Sequence, residues 1–184
     1  LSPNAREQLI AYLSPENSTD RLSWKSSQPA MAAVDQNGNV KAIAPGKLAI
    51  TVTTESGKSA SCNLLVGLRK GDVITNGIYR YKVTNTMVDG SGEVEVIGFV
   101  KGRSAKKVSI PKSVAWNGIK YNVTSVGTRA FIKNKKIRNI VIPDSVRKIR
   151  HKAFYACPNV KKLTIGKNVS FMGAHAFCLN KKLE

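Results

Sequence analysis

The sequence predicts a mainly β chain in two parts, a small β-sandwich followed by a β-solenoid with a β-hairpin cap at its N-terminal end. Three observations predict it. Apolar residues recur at a fixed step, Val123, Val126, Ala130 and Phe131 returning as Val146, Ile149, Ala153 and Phe154 and again as Val169, Met172, Ala176 and Phe177, each 23 residues on. A period of that length marks a unit too small to bury its own apolar side, which stacks on its neighbours. Residues 1–66 lack the period and instead alternate short apolar runs with turn formers. Charge is also segregated: residues 1–66 hold 6 basic and 5 acidic side chains, residues 67–102 hold 5 and 4, and residues 103–184 hold 19 and 2, so nearly all of the net +19 sits in the repeats.

The first part is punctuated by Ser14-Pro15-Glu16-Asn17, Gln28-Pro29, Asn37-Gly38-Asn39, Pro45-Gly46 and Ser56-Gly57. Asn37-Gly38 suits a tight hairpin with positive φ. Between these breaks lie strands at Leu22–Trp24, Ala32–Val34, Val40–Ile43, Ala49–Thr53 and Ala60–Val66, enough for a sandwich over 1–66. Residues 67–102 then read as a hairpin, Ile78–Val83 and Val94–Phe99 flanking the turn Asp89-Gly90-Ser91-Gly92. Such a hairpin seals the opening apolar face of the solenoid.

The repeats occupy 103–184. Ser109-Ile110-Pro111 is echoed by Val141-Ile142-Pro143 and by Thr164-Ile165-Gly166; the first interval is 32, so nine residues are inserted around Trp116–Tyr121. Ile137, Ile140 and Ile142 become Val160, Leu163 and Ile165, core-facing columns with one short strand per turn laddering onto the next. The Ala-Phe pair marks a bend, where Phe stacks on the next Phe for about 0.5–1.5 kcal/mol beyond its buried area. Leu183 falls on the column of Ile137 and Val160, so further turns are expected beyond it.

Trp24-Lys25-Ser26-Ser27, Pro29, Ala32, Val34-Asp35, Gly38, Val40, Ala42, Pro45-Gly46 and Ile50-Thr51-Val52 resemble the group 2 bacterial immunoglobulin-like domain. Ile142 to Cys157 and Ile165 to Phe177 resemble the BspA-type leucine-rich repeat, I-P-x-x-V-x-x-I-x-x-x-A-F-x-x-C-x-x-L. The resemblances imply an extracellular bacterial surface protein. They also imply a role in adhesion to host extracellular-matrix proteins or to other bacteria, with the sandwich as spacer.

The chemistry of catalysis is thin. Two histidines, His151 and His175, sit at neighbouring repeat positions and read as surface decoration; no G-x-S-x-G, H-E-x-x-H, G-x-G-x-x-G or P-loop string occurs. Asp144 is the one acidic residue of the repeats before the terminus, too few for a carboxylate pair. Asp20, Asp35 and Glu55 read as solvated turn residues rather than a calcium site, and the N-x-S/T strings at Asn17, Asn122 and Asn168 as accidents of composition. Cys62, Cys157 and Cys178 are too few and too scattered for a disulfide scaffold or a zinc site. Cys157 reads as a small filler of the stack, with a Cys157–Cys178 bridge across adjacent turns as the alternative. The expectation is a chain that is not an enzyme and needs no cofactor or metal.

The basic residues carry the functional reading. In a solenoid, equal positions of successive turns lie about 5 Å apart, so sequence columns become rows. Arg129, Lys152 and His175 form one row, and Arg138 and Lys161 a second, with Arg150 and Lys148 in support. Like charges so close repel by about 1 kcal/mol per pair, a cost that an anionic partner relieves. These seven residues are the candidate ligand face, for an anionic glycan, a host matrix protein or a bacterial envelope polymer. Trp116 and Tyr121 are candidates either for stacking on a sugar or for packing under the cap. The phenylalanines lie in core columns rather than as base-stacking platforms, against a specific nucleic-acid partner. No apolar run approaches 18 residues, so no helical membrane insertion is expected, and a monomer is. The rival readings are an accessory segment of a larger secreted hydrolase and a structural stalk, and solubility alone would also account for surface lysines.

Overall fold

The protein is described here by a computed structural model, which describes residues 1–16, 18–87 and 91–183. Asn17, with the end of its predicted turn and its N-x-S string, and Asp89-Gly90 lie outside the described residues. Two compact units emerge, one built on residues 1–68 and one on most of the remainder.

The first unit is a sandwich of two three-stranded antiparallel sheets. One holds β1 (Arg6–Gln8), β4 (Asn39–Ala42) and β3 (Ala32–Val34) in that order; the other holds β2 (Leu22–Ser26), β5 (Gly46–Thr54) and β6 (Ser59–Val66). Alternation of period two explains the layers. In β5, Gly46, Leu48, Ile50 and Val52 are buried while Lys47 points to water. Leu48 and Ile50 join Ala32, Val40, Ala42 and Val66 in one core, and Trp24 packs against it. The Asn37-Gly38 turn joins β3 to β4 as the expected hairpin, with the positive φ (76°) at Gly38. Asp35 organises it, its carboxylate accepting from the backbone N–H of Asn37 and of Asn39, both at 2.9 Å. A Cβ on Gly38 would stand 2.5 Å from the Leu9 carbonyl, so glycine is required there twice over.

The second unit opens with β7 (Val73–Asn76), β8 (Tyr79–Thr86) and β9 (Gly92–Phe99), paired antiparallel in sequence. β9 then switches mode and runs parallel to β12 (Ile119–Val126). The hairpin thus serves as the first rung of the solenoid, its edge covered by the next turn. The inserted residues form a second hairpin, β11 (Ser113–Trp116) returning as β12. Its turn, Asn117-Gly118, has φ of 47° and 74°, the pair of positive values that a two-residue hairpin needs.

Each later turn contributes two strands, where the sequence pattern suggested one. β10 (Lys107–Ser109), β13 (Asn139–Ile142) and β15 (Lys162–Ile165) form one parallel ladder. β12, β14 (Lys148–Ile149) and β16 (Phe171–Met172) form the other. The second ladder has no sequence signature because its later strands, β14 and β16, are two residues long and its apolar column, Val146 and Ile149, has a spacing of three, which is not a strand period.

Between the ladders of one turn and the next lies a six-residue corner, at 128–133, 151–156 and 174–179. Its hydrogen bonds alternate. Arg129, Phe131 and Lys133 donate N–H to His151, Ala153 and Tyr155 of the following turn, at 3.0, 2.8 and 2.8 Å, while Ala130 and Ile132 donate back to Gly127 and Arg129. The pattern repeats one turn on, where Lys152, Phe154 and Ala156 donate to Ala174, Ala176 and Cys178. Two residues per corner adopt positive φ to make this possible: Arg129 and Lys133, Lys152 and Ala156, His175 and Leu179, at 52° to 60°. Inside the corner the phenylalanines pile up face to face, Phe131 on Phe154 at 5.0 Å and 9°, and Phe154 on Phe177 at 5.3 Å and 4°. The predicted register of successive coils is therefore present. Burial is complete in the middle turn, where Ile142, Ile149 and Phe154 expose 1% or less, and fades in the last described turn, where Ile165, Phe171 and Met172 expose 38% to 52%.

Cys157 fills the stack as a free thiol. It is fully buried, its Sγ donates to the Phe131 carbonyl at 3.1 Å, and its N–H donates to Asn180 Oδ1 at 2.9 Å. Burial pushes its pKa up against a smaller lowering by a backbone contact with Asn134, which keeps the neutral S–H donor. Cys178 is free and exposed, so the alternative of a bridge is not realised.

Candidate functional site

The seven predicted ligand residues fall at three stations around the coil. Arg129, Lys152 and His175 occupy the second position of successive corners, each with positive φ. They do form a row, held by Arg129 N–H to His151 O and Lys152 N–H to Ala174 O. Two of the three are engaged locally. The Lys152 ammonium lies 5.4 Å above the Tyr155 ring, a cation–π distance. His175 Nδ1 lies 3.3 Å from Cys178 Sγ, its ring 6.1 Å from that of His151.

Arg138 and Lys161 sit at the N-terminal ends of β13 and β15. Here the structure adds a residue. Lys106 holds the equivalent place before β10, its carbonyl accepting from Arg138 N–H at 2.7 Å and Asn139 N–H at 3.1 Å; the Arg138 carbonyl accepts in the same way from Lys161 (2.7 Å) and Lys162 (3.3 Å). Three cations therefore stand on three consecutive rungs, beside a second column in which Lys107, Asn139 and Lys162 are paired in register. Lys106, Lys107, Arg138, Lys161 and Lys162 are all exposed. None of them joins any of the three ion pairs found among the described residues. Sequence columns missed Lys106 because the nine-residue insertion shifts it by 32 rather than 23.

Lys148 and Arg150 belong to the other ladder, and there carboxylates offset two of the arginine charges. Arg150 Nε donates to Glu95 Oε2 at 2.8 Å, the carboxylate only 14% exposed, and Arg147 pairs with Glu93. Glu93 and Glu95 alternate along β9 and so share the outer face that β14 reaches across β12. Arg150, expected on the ligand face, is thus engaged in clamping the cap hairpin to the second repeat. The signal for this was in the sequence as Glu93-Val94-Glu95, but the partner lies 55 residues away. The seven residues do not form one strip.

Tyr121 is fully buried in β12, which excludes stacking on a sugar and realises the packing alternative; Trp116 is half-buried. Asp35 is held below the usual carboxylate range mainly by the Asn39 side chain and then its backbone N–H, a turn role rather than a metal site. Among the described residues no three metal-ligating side chains converge. An open groove of about 700 Å³ in the first unit, lined by Leu9, Tyr12, Trp24, Ile50 and Val52 together with Ser18, Asp20 and Thr54 among others, was not signalled by any motif.

Comparison with known proteins agrees with this architecture. Residues 1–64 match the family described as bacterial Ig-like domain (group 2), and residues 99–184 the family described as BspA type leucine rich repeat region (6 copies). An uncharacterized protein of Clostridium acetobutylicum is 34% identical over 83 residues, 45% of this chain and 21% of that protein. A lacto-N-biosidase of Bifidobacterium bifidum is 36% identical over 66 residues, 36% of this chain and 6% of the enzyme. Among solved structures, a leucine rich cell surface protein from Faecalibacterium prausnitzii aligns with a TM-score of 0.51 and 26% identity, over 61% of this chain and 29% of that one. The chain spans about a fifth or less of the curated relatives it matches. It contains a group 2 bacterial immunoglobulin-like domain followed by BspA-type leucine-rich repeats, as in bacterial surface proteins.

Proposed function

We propose that this chain is an adhesion or recognition module in which the repeats hold an anionic ligand and the immunoglobulin-like unit acts as spacer. The ligand classes that suit it are an anionic glycan, an acidic region of a host matrix protein, or a bacterial envelope polymer. The observation that carries the reading is the unneutralised row Lys106, Arg138 and Lys161 with its neighbours Lys107 and Lys162. Five exposed cations on adjacent rungs repel one another, and a polyanion turns that repulsion into attraction while releasing counterions. Retention on immobilised heparin and on a panel of matrix proteins, at low and at physiological salt, tests it. The expected result is salt-labile capture by at least one of them; passage through all of them at low salt would refute it.

A second reading is favoured by one observation, the local similarity to a lacto-N-biosidase. In it the chain is an accessory binding segment of a larger secreted hydrolase. A catalytic domain elsewhere in the parent open reading frame would support this reading; further repeats or a wall anchor would support the adhesin.

A further inference from the structure

The rows share one direction, along the solenoid axis, and differ in how far their charges are engaged, and together these specify how a ligand lies. Lys106, Arg138 and Lys161 follow one another across the strands, so the line joining them runs along the solenoid axis, one rung at a time. Rungs of a parallel ladder are about 4.8 Å apart. An acidic peptide in extended form presents side chains on one face only every 6.8 Å or so, and a helix presents i and i+4 about 6 Å apart. A linear sulfated or polyuronate glycan carries charge along its whole length and lays several anionic groups against a line of cations at once. We infer, building on the anionic-ligand reading above, that the ligand is a linear polyanionic glycan laid along the solenoid axis over Lys106, Arg138 and Lys161. Lys107 and Lys162 flank that line, with Asn139 between them as a neutral hydrogen-bonding rung. The parallel row Arg129, Lys152 and His175 does not serve it, because Lys152 and His175 are turned to Tyr155 and Cys178. The Arg147 and Arg150 station does not serve it either, because Glu93 and Glu95 repel the same ligand.

The test is a length series of heparin fragments, disaccharide to octasaccharide, titrated into the whole chain and into the variants Arg138→Gln and Lys152→Gln, with circular dichroism confirming that each variant folds. The axial arrangement predicts affinity rising by about tenfold or more from disaccharide to tetrasaccharide, as the three rungs engage, and rising little beyond. It also predicts that Arg138→Gln flattens the slope of log affinity against log salt by about 0.7, while Lys152→Gln leaves it unchanged. Fragments that bind with affinity independent of length, or that lose affinity with Lys152→Gln and not with Arg138→Gln, would overturn the axial arrangement alone. Failure of every fragment to bind at low salt would instead remove the glycan and, if matrix proteins and envelope polymer also fail, the anionic-ligand reading beneath it.

Discussion

The two ladders of the solenoid have similar numbers of basic residues and opposite electrostatics. On the ladder of β12, β14 and β16, the arginines of the second repeat meet Glu93 and Glu95 from the cap. On the ladder of β10, β13 and β15, Lys106, Arg138 and Lys161 are stacked without a carboxylate among them. The difference teaches that a count of charges does not locate a binding face. What matters is which side of the coil the few acids of a basic protein reach, and here Glu93 and Glu95 both reach the same side.

The comparison is broken most severely by removing the stack that holds both ladders in register. Phe154→Ala deletes a fully buried ring sandwiched between Phe131 and Phe177, at an expected cost of about 3–5 kcal/mol. Urea titration followed by tyrosine or tryptophan fluorescence checks it, with heparin retention expected to fall in parallel as the rungs lose alignment. A milder change converts one ladder into the other. The double variant Glu93→Gln with Glu95→Gln frees Arg147 and Arg150, and heparin elution is expected to move to higher salt. Because the ion pairs are partly exposed, the loss in stability is about 1 kcal/mol.

Alkaline pH acts on the buried end of the same unit. Burial raises the pKa of Tyr79, against a smaller lowering by the Ser109 N–H, and that of Tyr81, with the Tyr79 charge adding to it; burial also raises that of Cys157. In the unfolded chain these groups release their protons first. Their contribution is therefore complete below about pH 8.5 and declines as pH rises through 9 to 10 and beyond, which thermal melts between neutral pH and pH 11 or so would register. The smallest effect is expected at the corner. Lys152→Gly removes a non-glycine residue from a left-handed position, a relief of about 1–2 kcal/mol, and removes the Tyr155 contact, a loss of about 0.5–1 kcal/mol. A melting temperature equal to or slightly above the parent, with heparin retention unchanged, would separate this row from the ligand face.

The fold was legible because its physics is periodic. The 23-residue step announced the stacked phenylalanines, and alternation with turn formers announced five of the six sandwich strands; only the three-residue, fully exposed β1 gave no pattern. The later rungs of the second ladder were hidden because the two-residue β14 and β16 have no period to detect. Of the ligand face, Arg138 and Lys161 were legible as a column. Lys106 was masked by an insertion, and the loss of Arg150 to Glu95 depends on a parallel pairing between segments 55 residues apart, which charge counted along the chain does not show.

The most direct measurement is the salt dependence of heparin affinity for two triple variants, one with Lys106, Arg138 and Lys161 changed to Gln and one with Arg129, Lys152 and His175 changed to Gln. The account predicts that the first loses about two units of the log–log slope and the second loses none. Equal losses, or a loss confined to the second, would contradict it.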